Sequence, residues 1–125
     1  MDDRLEKLNK IKIENYVWVI YIVIIILSWY ANYKEKNYLL YNDQKSKREY
    51  QNLLIFIFGV LLVVYLYFTI DGYEDIKNLN IYDSLKKRKL TYASFIGSVL
   101  ILISGFIFLT IAILDENIET EIAFN

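Results

Sequence analysis

Long apolar runs alternate with short charged stretches along this chain. Three segments, 15–33, 50–70 and 90–114, contain no charged residue and are 19, 21 and 25 residues long. About 20 apolar residues at 1.5 Å each cross roughly 30 Å of hydrocarbon, so each run predicts a transmembrane helix. A buried helix of a soluble bundle would show a polar stripe every three or four residues. The stretch Val17–Leu27 shows none. The first run also has the charged start and apolar middle of a secretory signal, but its candidate cleavage residue Ala31 is preceded at minus three by the bulky Trp29. That is a poor cleavage site, and the run is read as the first span.

The charged stretches carry helix signals rather than loop signals. Leu5, Leu8 and Ile11 share one face ahead of the first run, which predicts a helix starting near Asp3 and continuing into the span. Ser46 and Glu49 have the spacing of a capping box, placing the start of the second helix there. Asp83 or Ser84 is the expected cap of the third. Turns are therefore expected near 41–43 and 79–83, with both helical hairpins projecting beyond the bilayer. The reading is an all-helical, three-span bundle forming a single membrane domain over 1–125. The chain has no proline, so straight helices are expected, and no internal repeat is visible.

Aromatic residues mark the same borders, because Trp and Tyr favour the headgroup level. Tyr16 and Trp18 flank the first run at one end and Trp29, Tyr30 and Tyr33 at the other; Tyr50 opens the second, Tyr65, Tyr67 and Tyr73 cluster towards its end, and Tyr92 opens the third. Orientation follows from Lys and Arg, which stay on the cytoplasmic side. The amino-terminal segment (Arg4, Lys7, Lys10, Lys12) and second connection (Lys77, Lys86, Lys87, Arg88, Lys89) carry 9 basic residues. The first connection (Lys34, Lys36, Lys45, Lys47, Arg48) and the acidic tail carry 5. The amino terminus is expected in the cytoplasm and the carboxyl terminus outside. The abundance of Ile, Lys, Asn and Tyr suits an A/T-rich prokaryotic genome and hence a plasma membrane.

Composition removes much chemistry. With no His and no Cys, imidazole acid–base catalysis, thiol nucleophiles, most zinc and copper sites, haem ligation through these residues and iron–sulfur clusters are excluded. No cofactor is expected. Asp71, Glu74 and Asp75 would share one helix face, with Asp83 nearby in sequence, and are the weak candidates for a divalent cation. Acidic residues where a helix leaves a membrane explain themselves without a metal. The Asp71–Gly72 pair resembles the start of the phosphatidyltransferase motif, but the Ala-Arg that should follow is missing. In length and span number the chain is similar to bacterial diacylglycerol kinase and to three-span phage holins, yet the kinase's Asn-Thr-Ala motif is absent and the tail is acidic where holins end in basic residues. These are resemblances of architecture, which does not fix function.

Two features remain. Lys86, Lys87, Arg88 and Lys89 stand immediately before the third run, where cations gain on the order of 1 kcal/mol each from anionic lipids. A topogenic lipid-headgroup anchor explains this cluster, and no nucleic-acid partner is expected. Small residues notch the third run: Thr91, Ser98, Gly105 and Ala112 recur every seven positions, beside Ser94, Gly97 and Ser104. Seven is the period of a left-handed helix pair, and small residues let membrane helices approach closely. Counting depth from the run centres, near Val60 and Ile103, predicts that Gly59 meets Gly105, with Ser104 able to bond across for about 0.6 kcal/mol. The functional expectation is a non-enzymatic accessory or assembly subunit, with membrane lipids and either copies of itself or a membrane-protein partner as contacts. The alternatives are a holin-like pore-former and a small lipid-modifying enzyme using the acidic cluster.

Overall fold

The computed structural model describes residues 2–115, without the side chains of Asp2 and Asp3; beyond Asp115 the acidic tail lies outside the described residues. The described residues form three helices and no strand: α1 (Asp2–Tyr41), α2 (Gln44–Lys77) and α3 (Leu85–Leu114). Each is long and apolar enough to cross a membrane, with mean hydropathy of 1.8, 2.8 and 2.6 over its most apolar window. At 1.5 Å per residue, the 40 residues of α1 extend to about 60 Å, twice the hydrocarbon thickness. The chain divides into two units, one holding α1 with the start of α2 up to Leu53, the other holding the remainder of α2 with α3.

In the first unit the connection is only Asn42 and Asp43. Asn42 takes the left-handed conformation (φ 53°), and its N–H donates to the Tyr38 carbonyl at 2.8 Å, which closes the end of α1. Asp43 opens α2. Its carboxylate accepts the Lys45 N–H (3.1 Å) and the Ser46 hydroxyl (2.8 Å), while its carbonyl accepts the Lys47 N–H (3.1 Å). The expected capping box at Ser46 is thus corrected: α2 starts two residues earlier. An aspartate can accept two donors at once and sets a negative charge on the positive end of the helix. Ser46 is left buried inside the first turn, and Glu49 pairs with Lys34 of α1 at 2.7 Å. That ion pair is the first cause of a raised Lys34 pKa.

In the second unit the connection spans 78–84 and is held by its own side chains. Ser84 is the cap of α3, accepting the Lys87 N–H at 3.1 Å. Asp83 anchors the loop instead, accepting the Asn80 N–H (2.8 Å) and the Lys87 ammonium (3.1 Å). Arg88 donates from Nη2 to the Asn80 carbonyl at 3.0 Å.

Both aspartates should make the fold sensitive to acid. The Ser46 hydroxyl and then the Lys45 amide lower the Asp43 pKa from its ordinary 3.8, and the Asn80 amide and then Lys87 lower that of Asp83. A carboxyl with a depressed folded pKa contributes stability that is present above its unfolded value and lost as pH falls through the folded one. Thermal unfolding followed by circular dichroism in detergent should therefore show this contribution intact above about pH 5 and declining below pH 3.8. The Asp43→Asn, Asp83→Asn double variant should start less stable and lose less on acidification. An identical acid response in the two proteins would contradict this account of the caps.

Candidate helix-packing site

Within the second unit, α2 and α3 run antiparallel and touch at points that share one register. Phe58 meets Phe108 with ring centroids 5.8 Å apart, and Tyr73 meets Phe95 at 6.1 Å. The Thr69 hydroxyl donates to the Tyr65 carbonyl (2.8 Å) and reaches the Ser98 carbonyl of α3 at 3.3 Å. Gly105 is buried, and a Cβ placed on it would lie 3.2 Å from both Leu62 Cδ1 and Tyr65 Cδ2. A side chain there would require Leu62 and Tyr65 to give way by a few tenths of an ångström.

The pairing of Gly59 with Gly105 is therefore corrected. Gly105 sits beneath Leu62 and Tyr65, and a Cβ on Gly59 would meet nothing within 4 Å. Depth counting assumed that the two apolar runs are centred at one level. The contacts instead place Phe95, inside the third run, beside Gly72 and Tyr73, just past the end of the second. Interlocking side chains and the length of the loop set the register, displaced by about one helical turn from the one that hydropathy centring gives.

The other small residues separate into two groups. Ala112 is buried and Ser98 half-buried, on the same side as Gly105. Ser98 donates its hydroxyl back to the Ser94 carbonyl at 3.1 Å, and Thr91 to the Lys87 carbonyl at 2.8 Å. Ser94 and Ser104 are exposed, and a Cβ on Gly97 would meet open space. Gly97 and Ser104, seven apart, thus form a second notch on α3. Sequence reading missed the α2 side of the contact, where Phe58, Tyr65 and Gly72 also recur every seven residues. Gly72 is buried, with its would-be Cβ 3.4 Å from the Phe95 ring. Two of these three are aromatic, so a heptad of small residues alone does not include them.

Charged groups occupy the helix ends. The ammonium of Lys34 lies over the Tyr30 ring (5.3 Å), that of Lys47 over Tyr38 (5.4 Å) and that of Lys77 over Tyr73 (4.9 Å). Each pair couples a ring able to sit at a headgroup level with a cation that reaches water. In the basic cluster, Lys87 and Arg88 are engaged by the loop, whereas Lys86 and Lys89 are exposed. Asp71 is half-buried and Glu74 and Asp75 are exposed near the end of α2. Among the described residues no group of three or more carboxylates is arranged to hold a metal ion.

The contact at Gly105 has a measurable consequence. Gly105→Leu should wedge α2 from α3 and lower stability in detergent by about 1–3 kcal/mol, the usual cost of overpacking. Gly59→Leu, entering open space, should cost far less. Equal losses in thermal or denaturant unfolding would contradict the observed register. No family model, curated protein or solved structure matches this chain, so the geometry alone carries the functional reading.

Proposed function

We propose that the chain is a multi-pass protein of the plasma membrane, amino terminus in the cytoplasm and carboxyl terminus outside, that acts without catalysis as an accessory or assembly subunit. The observation that carries this reading is the exposure of its apolar surface. In the most apolar window of each helix only 11%, 22% and 11% of residues are buried. Side chains as large as Trp29 (78% exposed), Val63 (69%) and Ile25 (66%) stand free. In water such a surface would drive aggregation; in hydrocarbon it needs no cover. Orientation is supported by the basic asymmetry alone, 9 residues against 5.

The assembly role is supported by the notch at Gly97 and Ser104, which α2 does not fill. A lipid chain can lie there, but a second helix gains closer van der Waals contact. The partner is a further copy of this chain or another membrane helix.

Two measurements test the proposal. Phosphatase fused after Asn125 should be active outside the cell, and fused after Asn80 inactive; the reverse pattern would overturn the orientation. On induction, cross-linking in native membranes should trap a discrete complex that Gly97→Leu weakens, while the membrane potential stays intact. Collapse of the potential would favour the pore-forming alternative, and lipid turnover abolished by Asp71→Asn with Asp75→Asn would favour the enzymatic one.

A further inference from the structure

The uncharged run of α1 begins at Asn15, but the helix itself begins at Asp2. In this extension Leu5, Leu8 and Ile11 are 59%, 59% and 51% exposed. At 3.6 residues per turn, Leu5 and Ile11 lie about 60° either side of Leu8, so the three form one stripe. Arg4 and Lys12, both exposed, lie about 40° either side of Leu8. Glu6 and Glu14 lie about 160° and 120° away from it. The extension thus has an apolar face bordered by cations, with Glu6 and Glu14 turned aside.

An anionic bilayer, a second copy of the chain and an acidic helix are the candidates to cover such a face. A bilayer covers an amphipathic helix only when the helix lies along its surface. α1 is unbroken from Asp2 to Tyr41 and has neither proline nor glycine, so nothing in it provides a sharp kink that would lay the extension down. The 19-residue run between Glu14 and Lys34 spans about 28 Å, which leaves no slack for sliding the extension inwards. Measured from Asn15, Leu8 stands about 10 Å and Leu5 about 15 Å out, beyond a headgroup layer about 5–7 Å deep. A second copy would enter the membrane in the same direction, and a symmetric pair centred on Leu8 would set Arg4 against Arg4 and Lys12 against Lys12. Like charges at such a seam oppose pairing.

We infer that the amino-terminal extension of α1 docks an acidic amphipathic helix of a partner protein, whose apolar side chains cover Leu5, Leu8 and Ile11 and whose carboxylates meet Arg4 and Lys12. Here hydrophobic burial drives association, because the stripe stands in water rather than in hydrocarbon. The two cations set the sign of the partner's charge and so its selection. This rests on residues 15–33 being a span and on the assembly role proposed above, and adds to them a docking surface outside the bilayer with the chemistry of what it takes.

The test places the full-length protein in phosphatidylcholine nanodiscs and titrates it against a fluorescent synthetic helix with leucine at heptad a and d positions and glutamate at e and g. Fluorescence anisotropy should show binding about tenfold tighter than that of the same helix with lysine at e and g. Leu8→Ser should weaken it about tenfold, as should Arg4→Gln with Lys12→Gln, whereas Glu6→Gln on the far side should leave it unchanged. Equal affinity for the two peptides, no binding of either, or binding that survives both sets of substitutions would overturn the proposal. Depth is read separately, from a fluorophore on Leu8→Cys or on Ile22→Cys and quenching by spin-labelled lipid. Strong quenching at position 22 and little at position 8 is expected. Equal quenching would assign the stripe to lipid and overturn the docking surface while leaving the span in place; no quenching at position 22 would overturn the span itself. Efficient oxidation of unlabelled Leu8→Cys chains to a disulfide-linked dimer in native membranes would replace the acidic partner with a second copy.

Discussion

The fit of α2 against α3 is the interaction on which the second unit depends. In hydrocarbon, two apolar helices would gain nothing from leaving the solvent and would stay together only where shapes interlock closely. Gly105 supplies the depression that receives Leu62 and Tyr65, and Gly72 supplies one for Phe95. These two glycines lie on opposite helices, and each faces bulky side chains of the other helix. This arrangement favours one rotation and one sliding position of the pair, since a shift of one turn would set Leu62 and Tyr65 against a residue with a side chain.

Polar contacts act on the same geometry from the ends. The two-residue turn at Asn42–Asp43 and the seven-residue loop at 78–84 are each closed by an aspartate that satisfies amide donors. Asp43 also gathers Ser46, and Asp83 gathers Lys87. Loop contacts occupy half of the basic cluster, Lys87 and Arg88.

Much of this was legible in the sequence. Helix number, the start of α1 and the position of both turns follow from uncharged runs and flanking polar residues, because those patterns report on one helix at a time. The choice of Asp43 over Ser46 was less legible, since Ser46 with Glu49 satisfies the capping-box spacing equally well and only the Lys34–Glu49 pair shows where Glu49 is needed. The register of α2 on α3 was not legible from hydropathy. Apolar runs mark a slab about 30 Å thick, a ruler too coarse to resolve one 5.4 Å turn. The aromatic half of the contact, Phe58 and Tyr65, was hidden because such residues in a membrane helix are expected at its borders, and only the shared spacing with Gly72 distinguishes them.

The register is also the claim most open to direct measurement, because the chain has no cysteine of its own. Thr69→Cys with Ser98→Cys, and separately Gly59→Cys with Gly105→Cys, can be oxidised in native membranes and scored for an intramolecular disulfide by the mobility of the unreduced chain. The structure predicts rapid closure of the first pair and little of the second. Preferential closure of the Gly59 and Gly105 pair would contradict the packing from which the rest of the account is built.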